Sequence, residues 1–398
     1  MVAPIKQHLI DPELCIRCHT CEEACTIDAI THNDDNVVVD ASICNGCMDC
    51  ISPCPTGSID NWRVVSTPYS LDEQLGWTEL PEQQDLAAGI DSQDSAAEAF
   101  DASISALLEE AHQGAGGRMK PPLSASKPAV NLFPPSDPAE AIVQGNFRLT
   151  SAASDSDVRH IILNLGTTHF PVLEGQSVGV IAPGTDANGR LHSPRLYSIS
   201  SPRDGERPNT NNLSLTVKRE DQGVCSNYLC ELSKGDPIQL IGPFGATFLM
   251  PDDPQARLIM VCTGTGSAPF RAFTMRHQRA MPDVDSALHL FFGARTPDSL
   301  PYFGPLKKVP DAFLAKHFAF SRVAGSSKEY VQDKLRAAST TLAPLLPDPA
   351  THIYVCGLKA METGVETAFE EIARGAGLNW PEIRDNMRDA GRYHVETY

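Results

Sequence analysis

Eight cysteines near the N-terminus form two runs of identical spacing. They are Cys15-x2-Cys18-x2-Cys21-x3-Cys25 and Cys44-x2-Cys47-x2-Cys50-x3-Cys54, the second followed by Pro55. Three thiolates spaced two residues apart wrap one corner of an iron–sulfur cubane, and the fourth cysteine is carried away on a short helical turn. Zinc is the competing chemistry, because paired C-x2-C units also build zinc ribbons. Zinc needs four ligands, normally in two well-separated pairs. Two adjacent runs of four, the last closed by proline, favour a pair of [4Fe–4S] clusters. The runs are an internal duplication: Asp11 maps to Asp40, Leu14 to Ile43 and Ile30 to Ile59. Its one visible departure is Thr26, where the second run has Pro55.

The cysteine pattern resembles the bacterial two-cluster ferredoxins. In such ferredoxins the fourth cysteine of each run binds the other cluster. The resemblance therefore implies one cluster on Cys15, Cys18, Cys21 and Cys54, and a second on Cys44, Cys47, Cys50 and Cys25. A chain with two such clusters moves single electrons.

Further along, other segments combine charge, hydroxyl and glycine. Arg195-Leu196-Tyr197-Ser198-Ile199-Ser200-Ser201 reads alone as an amphipathic strand. Gly223-Val224-Cys225-Ser226 puts a glycine and a hydroxyl where a helix should start, and free N–H groups at a helix start hold phosphate well. Val261-Cys262-Thr263-Gly264-Thr265-Gly266-Ser267-Ala268-Pro269-Phe270-Arg271 follows a strand-like run and opens a helix. Glycines there let backbone approach a pyrophosphate. A lone Gly-x-Gly is common in tight turns, but the full motif after a buried strand is more specific.

Together these segments resemble the plant-type ferredoxin–NADP reductase family over residues from about 140 to 398. The resemblance implies FAD held by Arg195 at its pyrophosphate, Tyr197 stacked on the isoalloxazine and Ser198 near N5. The phosphate turn would be Gly223, Val224, Cys225 and Ser226, with Thr216 and Lys218 on the flanking strand. It implies NADPH as electron donor, with dinucleotide contacts at Gly264, Thr265, Gly266, Gly357 and Leu358. Ser321, Arg322, Lys328 and Tyr330 would surround the 2′-phosphate. A dianion suits a cationic fork, a second cation, a hydroxyl and an aromatic face, whereas an NAD site would place a carboxylate on the ribose. By the same resemblance Cys356 lies beside the nicotinamide as a packing residue. The terminal Tyr398 would cover the flavin, and Glu396 would help relay protons. One departure is the short Glu220-Asp221-Gln222 loop, where chloroplast members carry a longer loop with an adenine-stacking Tyr; adenine contacts are left unassigned.

The elements that must position these residues divide the chain in three compositions. Residues 1–65 are the cluster module. Residues 66–138 read as a linker, first acidic (no Lys or Arg separates Arg63 from Arg118), then Pro-rich from Pro121 to Pro138. That composition favours a solvated tether over a docking element. Within it Asp94–Ala111 could form an acidic helix. Short β-like runs at Ser177–Ala182, Arg195–Ser200, Leu213–Lys218 and Pro237–Ile241 predict an antiparallel β-barrel FAD domain over 139–250. Strand-like Arg257–Cys262, Leu288–Gly293, Phe318–Val323 and His352–Cys356 alternate with helical segments. They predict a Rossmann-like parallel α/β NADP domain over 251–398. The fold class is thus multi-domain α+β and α/β.

Bulk properties narrow the partners. The 398 residues suffice for two or three domains. A net charge of −18 argues against nucleic acid and fits docking to a basic partner. No apolar run is long enough for a membrane span, and the N-terminus lacks an apolar signal core. Cys225, Cys230, Cys262 and Cys356 are scattered away from the runs, which is intracellular usage. A cytoplasmic protein is expected. The module order resembles reductase components of benzoyl-CoA 2,3-epoxidase systems, which implies electron delivery to a separate di-iron oxygenase component. The alternatives are a general ferredoxin–NADP reductase with its own ferredoxin fused, and a non-catalytic electron-carrier module.

Overall fold

The computed structural model describes residues 5–44, 50–51, 53–59, 61–65, 67–81, 106, 119–185, 189–280 and 288–398. Cys47 and, apart from Ala106, the expected Asp94–Ala111 helix lie outside the described residues. The chain forms two compact units, Met1–Asp94 and Ser95–Tyr398. Among the described residues no helix is long and apolar enough to cross a membrane.

In the N-terminal unit, β1 (Ile5–Leu9) pairs antiparallel with β4 (Asn61–Val65), and β2 (Ile30–His32) with β3 (Val37–Val39). The duplication in sequence is a duplication in structure. The mapped pair Ile30 and Ile59 are both buried, and the mapped pair Leu14 and Ile43 are both exposed. The halves are also crossed. Asp11 N–H, ahead of the first run, donates to Ser58 O, beyond the second, at 2.8 Å. Asp40 N–H, ahead of the second run, donates to Ala29 O, beyond the first, also at 2.8 Å. A small core of Ile10, Ile30, Val37, Val39 and Ile59 sits against the cysteine side chains.

The second unit begins with a six-stranded antiparallel sheet of order β8-β7-β10-β5-β6-β9. Its strands are β5 (Ala139–Arg148), β6 (Val158–Asn164), β7 (Ser177–Val180), β8 (Arg195–Ser198), β9 (Asn212–Lys218) and β10 (Pro237–Phe244). A bridge between Ile199 and Leu215 joins the two edges and closes a barrel. Inward residues of β5 alternate with exposed ones, and Val143, Ile161, Val178, Leu215 and Leu240 fill the interior.

A five-stranded parallel sheet follows, of order β13-β12-β11-β14-β15. Its strands are β11 (Arg257–Thr263), β12 (Leu288–Ala294), β13 (Leu314–Phe320), β14 (Thr351–Gly357) and β15 (Tyr393–Thr397). The central strands are apolar almost throughout because helices cover both faces. The strand expected at Phe318–Val323 instead spans Leu314–Phe320. Its polar Lys316 and His317 are tolerated at a sheet edge, and the His317 ring stacks on Phe291 at 4.3 Å. Just past Phe320 the chain is still tied to the end of β12, Ser321 N–H donating to Ala294 O at 3.1 Å and Arg322 N–H to Arg295 O at 2.8 Å.

The solvated-tether reading does not describe 119–138. Met119 packs against the apolar cores on both sides of the parallel sheet. Ser126 N–H donates to Asp252 at 3.0 Å. Phe133 bridges to Gly242 and stacks on Phe170 at 5.0 Å. The Pro-rich composition there lowers the entropy of an extended segment that still finds apolar and polar partners.

Candidate functional site

One cleft of about 680 Å³ gathers side chains from both sheets of the second unit. From the barrel come Arg195, Tyr197 and Ser198 on β8, Thr216 and Lys218 on β9, and the turn Gly223–Ser226. From the parallel sheet come Thr265, Cys356, Glu396 and Tyr398. Leu191 and His192, which carry no recognisable sequence signal, line the same cleft.

The barrel side offers anion binding beside aromatic packing. Arg195 is exposed at the start of β8, with Tyr197 and Ser198 half-buried behind it. Gly223 caps the Val224–Glu231 helix, whose first internal bond comes from Asn227 N–H to Gly223 O at 3.0 Å. The amides of Val224–Ser226 therefore have no helical acceptor. A Cβ at Gly223 would lie 2.4 Å from Ser226 Oγ, which folds back to Gly223 O and fixes the turn. Burial pushes the Cys225 thiol up, and burial with the nearby Cys225 pushes the Tyr197 hydroxyl up, so both stay neutral.

The α/β side is built by two strand ends held in contact. A Cβ at Gly266 would come 2.2 Å from Cys356 O, so only glycine lets the β11 turn lie against the end of β14. Parallel pairing sets Glu396 beside Cys356 and Thr397 beside Gly357. The terminal Tyr398 is held by its backbone: its N–H donates to Gly357 O, and its O accepts from Lys359 N–H. Its hydroxyl lies 2.6 Å from Thr265 Oγ1, yet 60% of the residue is exposed. Cys356 is buried; burial and the charge of Glu396 keep its thiol protonated, which suits packing and excludes a nucleophile.

Ser321, Arg322, Lys328 and Tyr330 lie outside the cleft, on the loop after β13. Glu329 N–H donates back to Phe320 O at 3.1 Å, closing that loop and returning Lys328 and Tyr330 to the strand end where Ser321 and Arg322 leave. Tyr330 caps the Val331–Ala337 helix and is exposed. Among the described residues neither Arg322 nor Lys328 has an ion-pair partner, whereas neighbouring Arg295 pairs with Asp155 and Lys334 with Glu329.

A polar group that sequence reasoning missed joins barrel to parallel sheet. Arg271 Nη1 and Nη2 donate to the two Glu206 oxygens at 2.8 and 2.9 Å. His160 Nε2 lies 3.2 Å from Glu206, and its Nδ1 lies 2.9 Å from Tyr302 Oη. Tyr302 Oη in turn lies 2.6 Å from Thr216 Oγ1, on the cleft wall. Glu206 stands in a Gly- and charge-rich turn, so its sequence context reads as solvated loop.

Comparison with known proteins identifies the fold. Residues 260–367 match the oxidoreductase NAD-binding domain, and residues 8–31 match the 4Fe-4S binding domain. The cyanelle ferredoxin–NADP reductase of Cyanophora paradoxa is 38% identical over 291 residues, covering 68% of this chain and 79% of that protein. The ferredoxin–NADP reductase of Thermosynechococcus vestitus is 37% identical over 290 residues, 75% of its length. The chain belongs to the ferredoxin–NADP reductase family. The ferredoxin–NADP+ reductase of Plasmodium falciparum, solved with 2′P-AMP, superposes with a TM-score of 0.53 at 25% identity, covering 68% of this chain and all of that one. This family member is an oxidoreductase using FAD and NADP(H), with an added N-terminal 4Fe-4S domain. The cleft's lining fits a dinucleotide flavin: Arg195 and the open amides of Val224–Ser226 offer an anion site on the barrel side, and Tyr197 and Tyr398 line the same cleft.

In that N-terminal domain Cys21 and Cys50 are buried, Cys15, Cys25, Cys44 and Cys54 half-buried, and Cys18 exposed. Cys54 is near enough to Cys18 and Cys21 to perturb both electrostatically. Burial, with Cys15 and Cys54 nearby, pushes the Cys21 thiol up to about 11. Cys54 is also partly buried, but hydrogen bonds from Ser58, Ile59 and Thr56 bring it down to about 7. Such crowding of cysteine side chains suits a cationic metal centre, which would hold them as thiolates.

Proposed function

We propose that this chain is the reductase component of an aromatic-degrading oxygenase system, passing electrons from NADPH through FAD and two [4Fe–4S] clusters to a di-iron benzoyl-CoA epoxidase component. FAD supplies the exchange between two-electron hydride chemistry and one-electron transfer, which suits it to stand between nicotinamide and iron–sulfur clusters. The observation that carries the reading is one cleft shared by the barrel's Arg195-Tyr197-Ser198 face and the α/β domain's Thr265, Cys356 and Tyr398.

The residues divide the work. Arg195 and the turn Gly223–Ser226, through the open amides of Val224, Cys225 and Ser226, would hold the flavin pyrophosphate. Tyr197 packs on one ring face, and Thr216 and Lys218 border it. Ser198 offers its hydroxyl at N5. Tyr398 would cover the other ring face and yield to nicotinamide; its backbone anchorage to Gly357 and Lys359 leaves the side chain to make that exchange. Glu396 exchanges a proton with solvent near the ring. At Gly264, Thr265, Gly266, Gly357 and Leu358 the protein backbone would meet the NADPH dinucleotide, and Ser321, Arg322, Lys328 and Tyr330 would bind its 2′-phosphate. Cys15, Cys18, Cys21 and Cys54 hold one cluster, and Cys44, Cys47, Cys50 and Cys25 the other. The crossed Asp11–Ser58 and Asp40–Ala29 bonds support that exchange.

The curated relatives are ferredoxin–NADP reductases, which favours a second reading: a general reductase with its own ferredoxin domain fused. An NADPH-oxidation assay separates the two. Coupled NADPH consumption and benzoyl-CoA turnover in the presence of a purified di-iron oxygenase component supports the first. Rapid reduction of free ferredoxins, with no productive coupling to any oxygenase component, supports the second.

A further inference from the structure

Beside the cysteines, the N-terminal unit brings three more ligand-type side chains together. His19 caps the Thr20–Glu23 turn, Glu22 lies on it, and His32 ends β2. His32 Nδ1 lies 2.7 Å and His19 Nδ1 3.3 Å from the same Glu22 oxygen, Oε2. All three ligand atoms fall within 4.8 Å of one another, and the two imidazole centroids are 4.1 Å apart.

Hydrogen bonding accounts for only part of this. His32 bonds Glu22, but His19 Nδ1 is shut off from solvent and makes no hydrogen bond. A buried unpaired polar atom costs about 1–3 kcal/mol. One carboxylate oxygen thus faces two imidazole nitrogens, one of which has no partner.

We propose that His19, Glu22 and His32 bind a zinc ion, with water as fourth ligand. Two imidazoles and one carboxylate are an established zinc donor set with bonds of about 2.0–2.2 Å. Tetrahedral geometry at such bonds separates adjacent ligand atoms by roughly 3.3–3.5 Å. The observed 3.3 Å matches this spacing, and the 2.7 Å pair needs only a small opening. Calcium and magnesium prefer all-oxygen sets. Zinc has no redox chemistry, so the ion would carry no electrons, and its contribution would be to hold the three side chains together. It would tie the Thr20–Glu23 turn, which bears Cys21 and lies between Cys18 and Cys25, to the β2–β3 hairpin, in a unit whose apolar core is small.

The test uses anaerobically isolated holoprotein, cleared of loosely held metal with a chelator and titrated with Zn²⁺ by calorimetry. Iron and acid-labile sulfide are assayed before and after. One zinc per chain is expected, with iron and sulfide unchanged. His32→Ala and the near-isosteric Glu22→Gln should each weaken binding by at least roughly 10–100-fold, the loss that even an outer-shell partner carries. Unchanged cluster content in the variants verifies that they fold. Absence of zinc binding, wild-type affinity in both variants, or zinc uptake matched by iron loss would each overturn the site.

Discussion

Among the described residues Arg322 and Lys328 have no ion-pair partner, and they lie on a loop closed by the Glu329–Phe320 bond, an arrangement suited to the proposed phosphate dianion. A hydrogen bond to a charged group is worth about 1.5–3 kcal/mol, so Arg322→Ala should lower kcat/KM for NADPH by roughly 10–100-fold. NADH use should barely change, because NADH lacks the 2′-phosphate. Steady-state rates with both nucleotides decide it; equal losses would remove Arg322 from the site. Tyr398 makes a different kind of contribution. Its backbone bonds to Gly357 and Lys359 survive substitution, so Tyr398→Ser removes the ring and leaves β15 in place. Stacking of this kind is worth about 0.5–1.5 kcal/mol, and its loss should raise NADH efficiency relative to NADPH by up to roughly tenfold. An unchanged ratio would count against a terminal cover.

At the scale of elements, the duplicated halves of the cluster unit make a prediction about ownership. The chain ahead of each cysteine run hydrogen-bonds to the chain behind the other run, and Cys54 perturbs Cys18 and Cys21. Cys54→Ala should therefore damage the cluster of the first run, and Cys25→Ala that of the second. Electron paramagnetic resonance of the two variants should show complementary losses; loss of each cysteine's own-run cluster would refute the exchange. The ligand spacing was legible because metal chemistry constrains it tightly. The α/β strands were legible where apolar runs are buried on both faces, as in β11 and β14. β13 was displaced in the reading because Lys316 and His317 interrupt its apolar pattern at a sheet edge. β15 was missed because its pairing with β14 is not visible from composition. The packing of 119–138 was missed for a similar reason: proline and polar residues look like a tether until Met119 and Phe133 are seen against apolar neighbours.

At the scale of the reductase unit, barrel and parallel sheet must keep Tyr197 and Tyr398 on one cleft while nucleotide enters and leaves. The Glu206 cluster is a physical reason that they do. Burial alone would raise the Glu206 carboxyl, but hydrogen bonds from His160 and Arg271, with the Arg271 charge, hold it far below the usual carboxylate range. A depressed carboxyl stabilises the fold at pH values above its unfolded pKa of about 4.3, and that contribution is lost as pH falls toward the folded value. Glu206→Gln keeps the size but leaves Arg271 part-buried without its counter-charge. Removing one partner of such a pair costs roughly 3–5 kcal/mol when fully buried, and Gln retains some of the bonding, so a loss at or below the lower end is expected at neutral pH. Urea denaturation followed by flavin release should show this loss at pH 7. The gap between wild type and variant should narrow as the pH is lowered below about 4.3, because protonation removes the charge that the substitution removes. The Tyr302–Thr216 contact adds a second readout: weakening the cluster loosens a residue on the cleft wall, so the variant should also bind FAD less tightly. A variant as stable as wild type across the pH range, with unchanged flavin affinity, would show that the two sheets are held together elsewhere.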